Sequence, residues 1–179
     1  MSDTRTQILD LAERAIRLRG YHAVSFRDLA DEMGIKSASI HYHFRQKQDM
    51  GLAVVDRYAS RIAAGLGPAG ALDWPEAVSA FCDVYKEALH KNNLQCLCGV
   101  LASESLGLPN EVADRVAKFF SDNIAWLIAS MPDRVRDQKS QALAIQTAMQ
   151  GAMTVSISLQ DYSVMDVIIQ RICQAESSV

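Results

Sequence analysis

Apolar residues recur along the start of the chain at spacings of three and four, which is the period of an α-helix. Between Thr4 and Arg19 the apolar residues fall on one face of the helical wheel, and the charged residues lie elsewhere. Thr4 followed by Gln7 fits a capping box at the start of this helix, and Gly20 suits its end. A first amphipathic helix is therefore predicted from Thr4 to Arg19.

Two shorter helical patterns follow the first helix. Ser25 and Asp28 resemble a second capping box, and Gly34 supplies a residue that can adopt positive φ. After this turn, residues 37–44 can form another short helix with Ile40 and Phe44 on its inner face. We therefore predict two short helices joined by a tight turn.

The spacing of these two helices is that of a helix-turn-helix. Ala30, Gly34 and Ile40 lie at offsets of four and six, so a small residue permits the crossing, glycine permits the turn and isoleucine anchors the second helix. In such a unit the second helix presents its outer residues to the major groove of DNA. The same spacing also fits a plain helical hairpin within a bundle, and both interpretations stay open on spacing alone.

The rest of the chain also has helical periodicity. A fourth helix is predicted from Lys47 to about Ala64, ahead of the glycine-rich residues 65–70, and further helices near residues 75–92, 98–106, 110–131, 134–159 and 163–175. No segment shows sustained two-residue alternation. The predicted fold is all-α, with about nine helices in two domains, residues 1–50 and 51–179, joined within the fourth helix.

Composition agrees with an ordinary globular protein, since 49% of the 179 residues are hydrophobic and 22% are charged. No apolar run approaches the roughly 18–20 residues that cross a bilayer, and charged residues occupy the place of a secretory segment. We therefore expect a soluble, cytoplasmic protein that is not bound to a membrane.

The distribution of charge changes the meaning of the net charge of −3. Residues 1–61 hold ten basic against eight acidic side chains, and residues 62–179 hold eight against thirteen. A mildly basic N-terminal part followed by an acidic remainder is compatible with DNA binding without being diagnostic of it.

Enzymatic and metal chemistry find little support in the sequence. Cys96 and Cys98 point about 200° apart on a helix, and no second pair completes a zinc site. No nucleophile elbow or phosphate-binding loop is present, so we expect no enzyme, no cofactor and no metal. The four cysteines are interpreted as reduced and buried, with a redox or electrophile sensor as the alternative. They are Cys82, Cys96, Cys98 and Cys173.

The N-terminal residues carry a more specific resemblance. Residues 5–56 are similar, without a gap, to the DNA-binding domain of tetracycline-repressor-type (TetR) regulators, through the runs Ile8–Gly20, Val24–Ala30 and Met33–Phe44 and through Lys47. The resemblance implies a homodimer that binds a near-palindromic double-stranded operator. It also implies that a small molecule entering the larger domain releases the operator, so residues 51–179 would form a helical effector-binding and dimerisation domain.

The resemblance also implies which residues contact DNA. They are Ser25, Arg27, Lys36, Ser37, Ala38, Ser39, His41, Tyr42, His43 and Lys47. Two departures stand out, because His41 occupies a position where the family usually has tyrosine, and Gln46 replaces the small polar residue that usually caps the fourth helix.

Candidate effector contacts are the aromatic, thioether and polar residues inside the predicted helices of the larger domain. They are Phe81, Tyr85, Leu101, Glu104, Phe119, Phe120, Asn123, Met149 and Met153. Glu104 and Asn123 are the candidate orienting groups, and the effector is expected to be small and largely apolar or aromatic. The alternative is that these residues are ordinary core, in a DNA-binding bundle without an effector.

Small and apolar residues on the last two helices form a candidate dimer interface, because small side chains allow helices to approach closely. They are Ala144, Ala148, Gly151, Ala152, Val155, Val164, Val167 and Ile168. The alternative is that they pack inside one chain. Together these features predict a ligand-responsive transcriptional repressor.

Overall fold

The computed structural model describes residues 3–91 and 93–177 and contains nine helices and no strand within them. The helices are α1 (Thr4–Arg19), α2 (Phe26–Met33), α3 (Ser37–His43), α4 (Lys47–Leu66), α5 (Trp74–His90), α6 (Leu97–Ser103), α7 (Asn110–Ser130), α8 (Gln138–Leu159) and α9 (Ser163–Glu176). The prediction of an all-α fold is confirmed. None of the helices described is long and apolar enough to cross a membrane.

The start of α1 differs from the predicted capping box. Asp3 is the N-cap, and its carboxylate accepts a hydrogen bond from the Thr6 backbone N–H at 2.7 Å. The predicted box between Thr4 and Gln7 is therefore wrong, because aspartate one residue earlier satisfies a free N–H of the first turn. The predicted end is confirmed, since Gly20 closes the helix at φ 83°.

Later helix bounds shift by a few residues from the sequence expectations. Helix α8 begins at Gln138 rather than near residue 134, because Asp137 caps it by accepting from the Ser140 N–H at 3.1 Å. Helix α4 continues to Leu66. Helix α5 ends at His90, and residue 92, the end predicted from the sequence, lies outside the described residues.

The chain divides into two compact units. The first consists of the residues up to Ala59 together with Leu97–Ala117, and the second of Ser60–Cys96 together with the residues from Lys118 onward. The boundaries fall inside α4, ahead of α6 and inside α7, so both α4 and α7 run continuously from one unit into the other. This division differs from the predicted one, which placed every residue from 51 onward in a single domain.

Helix α1 lies at the centre of the first unit and packs against α2, α3 and α6. Its Ile8 and Ile16 are fully buried. On another face the buried Glu13 accepts from Arg57 at 3.2 Å, and the Arg17 guanidinium lies 5.9 Å from the Tyr58 ring. The two residues on α4 therefore attach that helix to α1 by a shielded ion pair and a cation–π contact.

The second unit is a helical bundle in which α9 packs against both α5 and α8. The buried carboxylate of Glu176 accepts a hydrogen bond from the Trp74 indole N–H at 3.0 Å and a second from the Gln141 side chain. Glu176 thus joins the end of α9 to the starts of α5 and α8.

Candidate functional site

The turn between α2 and α3 has the geometry of a helix-turn-helix. Ser25 caps α2 by accepting from the Asp28 N–H at 3.1 Å, and its hydroxyl donates to the Asp28 carboxylate at 2.7 Å, which confirms Ser25 as the N-cap. Gly34 lies at φ 65°, and the next N–H, of Ile35, returns to the Ala30 carbonyl at 3.0 Å. A Cβ at Gly34 would meet nothing within 4 Å. Backbone conformation rather than space therefore requires glycine here.

Helix α3 has one anchored face and one open face. Ile40 is 0% exposed and Phe44, just after the helix, is 3% exposed, so both act as the structural anchors predicted from their spacing. Tyr42 is 86% exposed. Since α3 packs on α1 and α2 through its inner residues, its outer side chains are held on a fixed support.

All ten predicted DNA contacts lie in the first unit, on α2, α3, the turn between them and the start of α4. Six are exposed and four are partly exposed. The exposed residues are Ser25, Arg27, Lys36, Ala38, His41 and Tyr42, and the partly exposed ones are Ser37, Ser39, His43 and Lys47. The atypical His41 packs edge-on against Phe26 with ring centroids 4.9 Å apart. The fold therefore gathers the predicted set on neighbouring elements.

Lys47 is held at the start of α4. Its ammonium donates to the His22 carbonyl at 3.2 Å and lies 4.5 Å from the centre of the Tyr21 ring. Partial burial lowers the pKa of Lys47. The Asp49 carboxylate accepts from the Gln46 N–H at 3.0 Å, which ties the residue before α4 to its first turn.

Glu104, a predicted effector contact, lies in the first unit. Its two carboxylate oxygens accept from the Tyr21 backbone N–H at 3.2 and 3.1 Å. A Cβ added at Gly20 would lie 2.1 Å from the Glu104 Oε1. This contact gives Glu104 a structural role that the sequence did not indicate, since 83 residues separate the two partners.

A buried polar cluster lies in the second unit around the Tyr85 hydroxyl. The hydroxyl accepts from Asn123 Nδ2 and Gln146 Nε2, both at 3.0 Å, and lies 3.2 Å from Gln146 Oε1. Burial raises the pKa of Tyr85, which keeps the phenol neutral. The sequence indicated Tyr85 and Asn123 but missed Gln146. Its signal was a glutamine amid the apolar residues of α8.

Apolar side chains adjoin this cluster. The Phe81 ring centroid lies 5.0 Å from that of Tyr85 and 6.1 Å from that of Trp126. Met149 and Met153 of α8 are fully buried. The predicted effector residues in the second unit are Phe81, Tyr85, Phe119, Phe120, Asn123, Met149 and Met153, whereas Leu101 and Glu104 belong to the first.

A separate groove of about 500 Å³ lies elsewhere on the second unit, between the segment before α5 and the end of α7. Leu72 and Trp74 line one side, and Ser130 and Met131 line the other. It contains none of the predicted effector residues.

The predicted dimer residues of α8 and α9 lie mostly on the outside of the chain. Ala144, Gly151, Val155 and Val167 are exposed, and Ala148, Val164 and Ile168 are partly exposed. A Cβ at Gly151 would meet nothing within 4 Å. Ala152 is instead 4% exposed and belongs to the core of the chain. Two apolar residues of this face were missed, Leu143 and Leu159, which are 41% and 64% exposed.

All four cysteines are free, and those that are neighbours in space are not those that are neighbours in the sequence. Cys96 and Cys98 are each 0% exposed. Cys82 of α5 and Cys173 of α9 lie near each other, and burial raises the pKa of Cys82 to about 12. Among the residues that the structure describes, no three His, Cys, Asp or Glu side chains gather as metal ligands do.

Comparison with known proteins agrees with this geometry. The family profile described as "Bacterial regulatory proteins, tetR family" matches residues 8–54. The repressor KstR2 of Rhodococcus jostii is 43% identical over 49 residues, covering 27% of this chain and 24% of KstR2. The activator FasR of Mycolicibacterium smegmatis is 31% identical over 64 residues, covering 36% of this chain and 29% of FasR. The matched part of the chain thus spans 24% and 29% of the length of these two relatives.

Solved structures extend the similarity to the whole chain. A TetR transcriptional regulator from Legionella pneumophila has a TM-score of 0.90 and 31% identity, with 98% of each chain covered. A TetR-family regulator from Agrobacterium tumefaciens has a TM-score of 0.85 and 24% identity, with 96% of each chain covered. The second similarity concerns the fold alone. Together with the helix-turn-helix of α2 and α3, the first shows that the chain belongs to the TetR family of DNA-binding transcriptional regulators, which are not enzymes.

Proposed function

We propose that the protein is a homodimeric repressor that binds a near-palindromic operator through α3 and releases it when a small effector occupies the second unit. The observation that carries the DNA-binding part is the two-faced geometry of α3. Ile40 is fully buried while Tyr42 is 86% exposed, so the outer face is free to enter a major groove.

The predicted DNA contacts then divide into two kinds. Residues at the start of α3, among them Ser37 and Ser39, face base edges, because the N-terminal part of a recognition helix reads the groove. Arg27, Lys36 and Lys47 contact phosphates and fix the register of the protein on the duplex. Their cationic side chains explain how a chain of net charge −3 binds a polyanion, since only the charge at the contacting face matters.

Dimerisation is assigned to the outer faces of α8 and α9. Val155 and Val167 are 45% and 50% exposed, and the open surface at Gly151 permits close approach of a second helix. A two-fold interface formed by these helices places two copies of α3 on one duplex, and a palindromic site mirrors that symmetry.

Effector binding is assigned to the second unit, near Phe81, Tyr85 and Met149. An effector that favours a dimer whose recognition helices are not one turn of DNA apart, roughly 34–36 Å, must weaken operator binding. Such coupling is ordinarily about 1–3 kcal/mol, which corresponds to roughly a 5- to 150-fold loss of operator affinity.

Selection of bound sequences from random double-stranded DNA by the purified protein tests the proposal. We expect a near-palindromic site whose half-sites lie about one helical turn apart. Titration with the selected site then gives the stoichiometry, which should be one dimer or a small whole number of dimers for each site. Recovery of only unrelated sequences, bound with equal affinity, would show that α3 does not read DNA.

A further inference from the structure

The side chain of Gln150 on α8 stands out in the second unit. Both its amide nitrogen and its amide oxygen are buried, and neither has a hydrogen-bond partner among the residues that the structure describes. Buried amides are nearly always paired, because an unpaired one loses its hydration without replacement. An amide left in this condition is therefore suited to a partner that does not belong to the chain.

The surroundings of Gln150 locate it at the polar cluster. It lies one helical turn beyond Gln146, on the same face of α8, beside the Tyr85 hydroxyl. One turn further, Thr154 accepts a hydrogen bond from Gln95 at 2.7 Å. The segment that leads to the fully buried Cys96 is thus attached to α8 next to Gln150.

The Tyr85 hydroxyl accepts its two hydrogen bonds of 3.0 Å from Asn123 and Gln146, and the Gln150 amide lies near enough to lower its pKa. A phenol has one donor and two acceptor positions. Asn123 Nδ2 and Gln146 Nε2 occupy the acceptor positions at 3.0 Å, and Gln146 Oε1 lies 3.2 Å from the hydroxyl. Asn123 already donates to the Tyr85 hydroxyl in the same cluster. The amide of this cluster that is available to a ligand is therefore that of Gln150.

The chemistry of a carboxamide defines what it recognises. It presents one N–H donor and one carbonyl acceptor side by side, and the complement is a second group with an adjacent acceptor and donor. The cluster of Tyr85, Asn123, Gln146 and Gln150 carries no formal charge. A charged ligand would therefore lose its hydration without gaining a counter-charge from these side chains.

We propose that the Gln150 amide is the polar anchor of the effector site and recognises uncharged ligands with adjacent N–H and C=O groups, namely lactams, imides or primary carboxamides. We expect the body of the ligand to be apolar, since the Phe81 ring packs on Tyr85, and Met149 and Met153 follow Gln146 and Gln150 on α8 by three residues, all three being fully buried. This inference rests on the proposed effector function and specifies the chemistry of its ligand.

The first test uses the full-length protein without ligand. Gln150→Leu removes two unpaired polar atoms, so its melting temperature should be equal to or above that of the parent. Gln146→Leu makes the same change one turn away on a paired amide and should lower the melting temperature, because it removes partners of Tyr85. Equal losses in both variants would mean that Gln150 is paired within the protein, and would overturn the inference.

The second test compares matched ligands by calorimetry. In 2-quinolinone the ring has an N–H beside its carbonyl, and coumarin has the same shape with oxygen in place of N–H. We expect the lactam to bind about tenfold more tightly than the lactone, and this difference to vanish in Gln150→Leu. The smaller pair 2-piperidinone and δ-valerolactone should show the same order, and the anion quinoline-2-carboxylate should not bind. Equal affinities within both pairs, a difference that persists in Gln150→Leu, or no binding of either lactam would overturn the anchor.

Operator binding separates this inference from the function on which it rests. Lactam binding that depends on Gln150 but leaves operator affinity unchanged supports the anchor and contradicts the effector role. Release of the operator by compounds that do not need Gln150, while neither lactam binds, supports the effector role and contradicts the anchor.

Discussion

The carboxylate of Glu104 accepts hydrogen bonds from the backbone N–H of Tyr21 at 3.2 and 3.1 Å. It thereby connects the segment after α6 to the residue that follows the end of α1 at Gly20. The Tyr21 ring in turn lies 4.5 Å from the Lys47 ammonium. The position of Lys47 thus depends on a contact made by a residue far along the sequence.

Replacement of Gly20 by alanine should destabilise the protein strongly. The new Cβ would lie 2.1 Å from Glu104 Oε1, at a residue whose φ is +83°. We expect a loss of about 2–4 kcal/mol in urea unfolding, from backbone strain together with the damaged hydrogen bonds. Gly67→Ala is the control, since its φ is also positive, at +70°, and a Cβ there meets nothing within 4 Å. Equal losses in the two variants would mean that the Glu104 contact contributes nothing.

Lys47→Ala should weaken DNA binding about equally on all sequences. If its ammonium contacts one phosphate, the slope of log affinity against log salt should fall by about one. Fluorescence anisotropy at several salt concentrations measures both quantities. Lys91, an exposed lysine just after α5, gives the matched control Lys91→Ala, for which we expect no change. Full affinity with an unchanged slope for Lys47→Ala would remove it from the contact set.

Tyr42→Ala should separate DNA affinity from stability. Because the side chain is 86% exposed, the free energy of unfolding should change by no more than about 0.5 kcal/mol. Affinity for the selected operator should fall at least tenfold, by about 1.4 kcal/mol or more, if Tyr42 contacts the DNA. Leu106→Ala changes an exposed side chain that does not belong to α3 and should alter neither quantity. An operator affinity equal to that of the parent would contradict the placement of Tyr42 at the DNA.

Gly151→Glu should disrupt the dimer. A close helix contact at this open position cannot accept an ionised side chain without removing its hydration. Light scattering should report a monomer, and operator binding should fall with it. Ala125→Glu introduces the same charge at an exposed position of α7 and should leave the dimer intact. If the Gly151→Glu variant stayed dimeric, the dimer interface would have to lie on another surface of the protein.

Cys82 should resist alkylation in the folded protein. Burial raises the pKa of its thiol to about 12, so almost none is thiolate at pH 8. Mass spectrometry after iodoacetamide should find Cys82 unmodified without urea and modified with it, whereas the partly exposed Cys173 should react sooner. The unfolded state loses this proton at a lower pH than the folded state. This thiol therefore lowers stability as the pH rises from about 9 toward 12. Rapid modification of native Cys82 at pH 8 would favour the sensor alternative.

Local features of the sequence were enough to predict the helix-turn-helix. The capping of α2 by Ser25 and the positive φ of Gly34 depend on neighbours within a few residues, and the helical period alone places Ile40 on the inner face of α3. The same holds for the exposure of Tyr42, because the helical period alone places it away from Ile40.

Only the tertiary structure decided how distant segments pair. Helix α6 packs in the first unit, Glu104 binds the backbone of Tyr21, and the Gln150 amide lies near the Tyr85 hydroxyl. Helical periodicity tells which face of a helix is apolar, but not which other helix covers that face. The sequence around a polar residue on such a helix does not show whether its side chain forms a hydrogen bond in the folded protein. Its role is therefore set by the three-dimensional packing that brings, or fails to bring, a second polar group within hydrogen-bond distance.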